Sequence, residues 1–235
     1  RRQRQMCIRD RVKGVGEVQS LFLEIANAQH PLVLRRGGVL REARLAYETY
    51  GGLNPAKDNA ILLFHALSGS QHAAGINVCV PGVEGYWAEE CRVGWWDPFI
   101  GPGRALDTDR FFVICANYLG SCYGSTGPAC IDPEQGRPYG SSFPWITLPD
   151  IVDTQVRLLD FLGIDQLHCV MGVSLGGMAA VSFATRYPAR TRMVMPIGSG
   201  LMVTMLQRIH NFEQICAIEF DPEFKGGDYY GGLGP

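Results

Sequence analysis

The stretch Gly172-Val173-Ser174-Leu175-Gly176-Gly177 decides the fold predicted for this chain. It follows an apolar run of strand length at residues 167–171, and apolar residues continue after it at helical spacing over residues 178–184. A G-x-S-x-G between a buried strand and a helix places a serine hydroxyl on a sharp turn, where it can act as a nucleophile. The glycines permit this strained turn and a close approach of helix and strand. The alternative is a glycine-rich turn in which Ser174 only caps the helix.

The other apolar runs predict an α/β fold with a mostly parallel central sheet and helices on both faces. Residues 60–65 and 111–116 are continuous apolar runs, typical of strands that are buried on both sides. Thr147 and Asp150 have the spacing of a capping box, which predicts a helix that ends at Gly163. Because strands and helices alternate along the chain, the strands are expected to run parallel.

Three polar residues directly follow predicted strands. They are His65, Asn117 and Ser174. Active sites in open parallel sheets lie at the carboxyl ends of the strands, so we expect all three at one edge. Upstream, residues 31–34 and 43–49 predict two strands that pair as a hairpin around a Gly-Gly turn.

Composition describes a globular protein without a nucleic-acid or membrane partner. The chain has 235 residues, of which 46% are hydrophobic and 19% charged, and its formal net charge is −2. No basic face indicates nucleic-acid binding, and no apolar run reaches the roughly 18 residues that span a bilayer. The 8 cysteines are scattered, without C-x-x-C spacing or pairing with histidines. They indicate reduced thiols, a cytoplasmic location and no metal site.

Beyond these local signals, the chain resembles the homoserine O-acetyltransferases of the α/β-hydrolase superfamily. The blocks that carry the resemblance are residues 45–51 (LAYETYG), 65–75 (HALSGSQHAAG), 94–97 (GWWD), 100–103 (IGPG), 107–110 (DTDR), 120–128 (GSCYGSTGP) and 224–230 (FKGGDYY). The resemblance divides the chain into an α/β-hydrolase core at residues 14–200 and the beginning of an inserted helical lid at 201–235. Residues 1–13 do not fit the family pattern.

The resemblance implies transfer of an acyl group from acetyl-CoA, as co-substrate, to the side-chain hydroxyl of homoserine in methionine biosynthesis. No cofactor is implied. Family members work by double displacement through an acyl-serine, and the matching nucleophile here is Ser174. The backbone N–H groups of Leu67 and Leu175 would form the oxyanion hole, where losing one donor typically costs roughly 3 kcal/mol of barrier. His65 and His72 are expected to be structural, because the family's triad histidine comes much later in the sequence.

The sequence contains no triad acid and histidine in the expected order of serine, acid, histidine. His210 is the sole histidine after Ser174, and it falls in a predicted helix at residues 202–218. The resemblance implies that the acid and the histidine follow two further strands beyond the lid. We therefore expect a C-terminally truncated member that lacks the last strands and is inactive by itself. Relatives are commonly homodimers built through the lid, but the residues present predict no oligomeric state.

The acceptor site also departs from the family pattern. The position of an arginine that binds the amino-acid carboxylate in relatives is occupied here by Ile215. An aliphatic side chain cannot form the bidentate pair that recognises a carboxylate. Arg208 lies seven residues earlier on the same predicted helical face, about 10 Å away along the axis. That Arg208 takes over the role of the missing arginine is a hypothesis.

Three alternatives therefore remain open from the sequence. The acceptor could be serine instead of homoserine, and the donor could be succinyl-CoA. A plain esterase would use the same serine and oxyanion hole with water as the acceptor. Transfer to homoserine in preference to water separates the transferase from the esterase.

Overall fold

The structure, a computed structural model, describes residues 14–230. The predicted non-family segment at residues 1–13 and the stretch 231–235 lie outside the described residues. The strands are β1 (Leu21–Ala26), β2 (Leu32–Val33), β3 (Val39–Leu40), β4 (Ala43–Tyr50), β5 (Ala60–Phe64), β6 (Ile100–Gly101), β7 (Leu106–Asp107), β8 (Phe112–Ala116), β9 (Cys169–Val173) and β10 (Val194–Ile197). The α-helices are α1 (Leu148–Leu162), α2 (Leu175–Arg186) and α3 (Met205–Glu219), and short 3₁₀ helices occupy Glu89–Arg92, Asp97–Phe99, Gly140–Ser142, Pro188–Arg190 and Pro222–Gly227.

Six strands form one central sheet in the order β1-β4-β8-β5-β9-β10. The four strands from β8 to β10 run parallel, whereas β1 and β4 are antiparallel to their neighbours. Every residue of β5 and β8 is buried, as expected for strands that are covered on both faces. The predicted α/β fold with a mostly parallel sheet is confirmed.

The two faces of the sheet are covered by different kinds of structure. Leu62 and Phe64 of β5 pack in an apolar cluster with residues of α1 and α2. Ile61 and Leu63 point the other way and pack against Ala73 and irregular segments that follow it, including the half-buried side chains of two adjacent tryptophans, Trp95 and Trp96. Within residues 14–230, the two helices that pack on the sheet therefore lie on one face. The other face is covered by non-helical chain, because burial requires apolar contact and does not require a helix.

Helix α1 begins and ends where the sequence predicts. The Thr147 side chain accepts a hydrogen bond from the Asp150 backbone N–H, and the Asp150 carboxylate accepts one from the Thr147 backbone N–H. This reciprocal pair is a capping box. The helix ends at Gly163, whose φ of 67° lies in the left-handed region that favours glycine.

The predicted hairpin is wrong in its second strand. The partner of β2 is β3, with Leu32 opposite Leu40, whereas β4 lies in the central sheet between β1 and β8. Six of the eight β4 residues are buried, so β4 is stabilised by neighbours on both sides rather than by one hairpin partner. The strand β1 carries little apolar periodicity and was not predicted from the sequence.

The last strand and the last helix are far more exposed than the rest. Strand β10 has no buried residue, with Val194 40% and Met195 43% exposed. Helix α3, which overlaps the predicted helix at residues 202–218, also has no buried residue. The predicted division of the chain at residue 200 stays a prediction, although the packing changes close to it.

Candidate active site

The predicted site residues lie at the carboxyl edge of three neighbouring strands. His65 follows β5, Asn117 follows β8 and Ser174 follows β9. In the sheet, β5 lies between β8 and β9 and runs parallel to both. The three strand ends therefore open on the same edge, as predicted.

Ser174 occupies a strained turn between β9 and α2. Its φ of 55° and ψ of −119° lie where a residue with a side chain is rarely found, and such backbone strain costs about 1–3 kcal/mol. The side chain is exposed and makes no capping hydrogen bond to α2. The structure thus favours a presented hydroxyl over the alternative role of a helix cap.

Glycines allow the chain to pack tightly around this turn. A Cβ atom at Gly172 would lie 2.2 Å from the carbonyl oxygen of Gly176. A Cβ atom at Gly176 would lie 2.3 Å from the carbonyl oxygen of Phe64 and 2.6 Å from that of His65. Since these neighbours are backbone atoms, no side-chain movement could make room. The first turn of α2 is therefore in direct contact with the loop that follows β5.

The two predicted oxyanion-hole donors belong to these contacting segments. Leu67 is the second residue of a β-turn that a 3.0 Å hydrogen bond from Gly69 N to Ala66 O closes, and its side chain is 77% exposed. Leu175 is the first residue of α2, where backbone N–H groups have no intrahelical acceptor. Neither N–H donates to another residue in the stretch from 14 to 230. Both N–H groups therefore remain candidates for binding an oxygen atom of a substrate.

Ser199 supports the turn from the other side, and sequence reasoning missed it. Its hydroxyl donates to the backbone oxygen of Ser174, and the Ser174 N–H donates to the carbonyl of Ile197 at 2.9 Å. The Ser199 side chain also fills the space next to Gly177. The signal in the sequence is weak, because Ser199 follows the next strand and resembles an ordinary Gly-Ser-Gly turn.

No histidine of the described chain hydrogen-bonds to Ser174. His210 lies on α3, where its Nε2 is 3.0 Å from Gln214 Nε2 and its Nδ1 is 3.9 Å from Glu213 Oε2. Both contacts are local to the helix and exposed. Within residues 14–230, the predicted nucleophile Ser174 therefore has no histidine hydrogen-bonded to it.

His65 is a buried neutral histidine that shapes the loop after β5. Its Nδ1 lies 2.7 Å from the carbonyl oxygen of Ala66, and its ring stacks on Tyr118 with 3.7 Å between ring centroids. Burial lowers the pKa of His65 to about 4. The Tyr118 hydroxyl also donates to the His65 carbonyl. These contacts agree with the structural role expected for this residue.

Arg208 and Ile215 lie on the exposed helix α3. The main contacts of α3 with other elements are with the turn at Pro222–Gly227. The Arg208 side chain makes no ion pair within the described part of the chain. Its predicted role in carboxylate binding stays a prediction.

Two kinds of feature are absent from the described residues, a cluster of metal-ligating side chains and a membrane-spanning helix. Between residues 14 and 230, no group of three or more His, Cys, Asp or Glu side chains is arranged to hold a metal ion. No helix in that range is both long and apolar enough to cross a bilayer. The seven cysteines that the structure describes are all free.

Comparison with known sequences adds a family and close relatives. Residues 59–230 match the family described as alpha/beta hydrolase fold. The homoserine O-acetyltransferase of Moorella thermoacetica is 46% identical over 222 residues, which are 94% of this chain and 56% of the relative. The homoserine O-succinyltransferase of Methylibium petroleiphilum is 50% identical over 217 residues, which are 92% of this chain and 52% of the relative. The chain spans about half the length of the curated relatives it matches.

Two kinds of enzyme occur among similar solved structures. Esterase E22 superposes with a TM-score of 0.78 at 33% identity, covering 90% of this chain and 56% of the esterase. The homoserine O-acetyltransferase of Bacillus anthracis superposes with a TM-score of 0.77 at 33% identity, covering 90% of this chain and 55% of that enzyme. The fold is thus found in both a transferase and an esterase.

Proposed function

This chain belongs to the α/β-hydrolase fold family, and on that basis we propose that the protein is an acyl-CoA-dependent O-acyltransferase that acetylates homoserine. The support is its similarity to homoserine O-acyltransferases over most of its length. The observation that carries the proposal is the exposed Ser174 on its strained turn between β9 and α2. The Leu67 and Leu175 N–H groups make no hydrogen bond within residues 14–230. We place this reaction in methionine biosynthesis, in the cytoplasm, with acyl-CoA and homoserine as small-molecule partners.

In the first half-reaction, Ser174 Oγ attacks the thioester carbonyl carbon of acetyl-CoA. A C–O bond forms, the C–S bond breaks, and the sulfur leaves as free CoA with the proton from the serine. The carbonyl oxygen carries the negative charge of the tetrahedral intermediate, and the Leu67 and Leu175 amides donate to it. Each such donor contributes about 3 kcal/mol to lowering the barrier.

In the second half-reaction, the side-chain hydroxyl of homoserine attacks the acyl-serine. The new ester bond to homoserine forms, the Ser174 ester bond breaks, and Ser174 Oγ regains a proton. Both halves need a general base next to the serine. We propose that Arg208 binds the homoserine carboxylate, because Ile215 cannot. Replacing Arg208 by Ala should raise the homoserine concentration needed for saturation, and an unchanged saturation curve would remove Arg208 from the site.

A second candidate function is ester hydrolysis. The specific observation in its favour is the structural similarity to esterase E22, whose TM-score of 0.78 compares with 0.77 for the Bacillus anthracis transferase. The loss of an arginine at position 215 also weakens the case for an amino-acid acceptor. Water would then resolve the acyl-serine and release the free acid.

The deciding experiment follows CoA release by the full-length protein. With acetyl-CoA and homoserine, we expect homoserine-dependent CoA release, O-acetylhomoserine as product and an acetyl group trapped on the Ser174 peptide. CoA release that is independent of homoserine, with acetate as product, would identify a hydrolase. The same assay with serine or with succinyl-CoA tests the alternative acceptor and donor.

The 235-residue chain provides a matched comparison. Because no histidine within residues 14–230 hydrogen-bonds to Ser174, we expect this chain by itself to release no CoA above background. Turnover at the rate of an intact enzyme would mean that His210 or another group supplies the base.

A further inference from the structure

Glu48 is a buried carboxylate that no step of the proposed reaction uses. It is fully buried on β4 and accepts four hydrogen bonds. Its Oε1 accepts from Ser20 Oγ and Asn77 Nδ2, each at 2.8 Å, and its Oε2 accepts from Tyr50 OH at 2.8 Å and His72 Nδ1 at 2.9 Å. Four donors saturate the acceptor capacity of an ionised carboxylate. Burial raises the pKa of Glu48, but the hydrogen bonds led by that from His72 outweigh it and lower the pKa overall.

His72 links this carboxylate to the loop after β5. Besides its contact with Glu48, the ring places Nε2 3.0 Å from the carbonyl oxygen of Arg92. Both ring nitrogens thus face oxygen atoms, one on the Glu48 carboxylate and one on the backbone of Arg92. Through its contact with Glu48, the ring ties the loop to strand β4.

The Tyr50 hydroxyl makes the densest set of contacts with the same loop. It accepts hydrogen bonds from the backbone N–H groups of Ala73 at 2.7 Å and Ala74 at 3.2 Å, and it donates to Glu48 Oε2. The Gln71 carbonyl oxygen lies 3.2 Å from the same hydroxyl. Burial and the Glu48 carboxylate raise the pKa of Tyr50 well above its usual range. The hydroxyl therefore stays protonated and can donate and accept at the same time.

These contacts fix one end of a short segment whose other end is fixed near Ser174. At residues 71–74 the segment is held by Tyr50, Glu48 and the neighbouring Ser20 hydroxyl, which accepts from Gln71 Nε2 at 2.8 Å. At residue 65 it is held by Tyr118 and by the backbone contact with Gly176. Leu67 lies on the β-turn between these two ends. The turn that carries Leu67 is thus held from both sides.

We propose that Tyr50 and Glu48 are positioning residues that aim the Leu67 N–H at the oxyanion. This inference rests on the proposed function, in which that N–H stabilises the tetrahedral intermediate. Neither side chain touches the reacting atoms. They act through residues 71–74, which they hold against the sheet face opposite to α1 and α2.

The test uses acylation of Ser174 by p-nitrophenyl acetate in the intact protein, because this step needs the oxyanion hole and no amino-acid acceptor. Tyr50→Phe removes only the hydroxyl, and we expect the acylation rate at saturating ester to fall by about 10- to 100-fold with little change in KM. The matched control is Tyr47→Phe on the same strand. Tyr47 is buried in the apolar cluster on the opposite face, so its variant should acylate at the wild-type rate.

The acylation rate should fall at least as much in Glu48→Gln as in Tyr50→Phe. The amide NH₂ of glutamine would replace one acceptor oxygen and would face hydrogen-bond donors that it cannot accept from. If Tyr50→Phe does not fold, Ser20→Ala replaces it, because Ser20 supports Glu48 and Gln71 from the rim. A reduced acylation rate at unchanged KM in Ser20→Ala would support the proposal. A wild-type rate in the folded variants would overturn it, as would an equal loss in Tyr47→Phe.

The outcome does not depend on the identity of the acceptor. If homoserine is not the acceptor, the transferase proposal fails but the effect of Tyr50 on ester acylation is still measured. If Ser174→Ala acylates as fast as the wild type, the nucleophile is wrong and the proposed function fails first.

Discussion

The strand that carries Ser174 lies between two very different neighbours. On one side, β5 is buried along its whole length and continues into the loop that Glu48 and Tyr50 hold. On the other side, β10 has no buried residue and leads to the equally exposed helix α3. The buried side provides the predicted anion-stabilising donors, whereas no base or acceptor-binding group contacts Ser174 from the exposed side within residues 14–230. We therefore expect stabilisation of the oxyanion to come from the well-packed side of the site.

The largest effect on activity is expected at Ser174, which lies between the two sides. Ser174→Ala removes the nucleophile, and acyl transfer by the intact protein should fall by at least about 10⁴-fold. CoA release and loss of the acetylated peptide measure it. Ser182→Ala, on the same helix α2, is the control and should retain activity. Residual transfer close to the wild-type rate would mean that another group carries the acyl chain.

The next effect tests the buried side directly. Leu67 is the second residue of a turn and its φ is not positive, and proline is favoured at this position of such turns. Leu67→Pro should therefore keep the turn and delete the N–H donor, lowering kcat by about 10²- to 10³-fold.

The comparison variant at this position is Leu67→Ala, which keeps the N–H and removes an exposed side chain. It should lose far less kcat than Leu67→Pro, with both variants measured under saturating ester. Equal losses in the two would show that the side chain matters instead of the amide, and the assigned hole would be wrong.

A smaller effect concerns the contact between the loop that follows β5 and the first turn of α2, next to Ser174. A Cβ atom at Gly176 would overlap backbone oxygens at 2.3 and 2.6 Å, so Gly176→Ala should lower the free energy of unfolding by about 1–3 kcal/mol. Urea denaturation of the intact protein measures it. Gly52→Ala is the control, because a Cβ atom there has no neighbour within 4 Å and φ is not positive. Equal stability of the two variants would contradict the tight contact.

The smallest effect on the folded state is expected on the exposed side. Leu206 and Phe212 of α3 are exposed, so Leu206→Glu and Phe212→Glu should change stability by no more than about 0.5 kcal/mol. They should reduce self-association of the 235-residue chain, because exposed apolar faces associate. Size-exclusion chromatography measures this. Gln214→Glu adds the same charge without removing apolar surface, and an equal reduction in that variant would assign the effect to charge alone.

The locally encoded parts of the fold could be predicted from the sequence. The apolar run of β5, the capping box before α1 and the glycines around Ser174 each carry their signal within a few residues. The hairpin prediction failed because pairing of β4 is decided by partners distant in sequence. Strand β1 was missed because its burial is uneven and its pairing with β4 is the main reason it is a strand.

The candidate site divides in the same way. Ser174 could be named from a local motif, because a strand-to-helix turn rich in glycine carries its signal within a few residues. Leu67 and Leu175 were named only through the resemblance to the homoserine O-acetyltransferases, and their role stays a prediction. The role of Ser199 could not be predicted, because its contact with the Ser174 carbonyl joins the ends of β9 and β10, which are distant in sequence.

Reading the amino-acid sequence was enough to predict a mostly parallel α/β sheet, a serine on a strand-to-helix turn and a resemblance to homoserine O-acetyltransferases. The folded chain was needed to show that Glu48, Tyr50 and His72 meet in one buried network, and that the loop carrying Leu67 is held at both ends. It also decided that β10 and α3 remain exposed. The physical reason is the separation along the chain of the residues that interact. Turn strain and apolar periodicity act between neighbours in the chain, whereas a buried charge is satisfied only by donors that folding brings from distant segments.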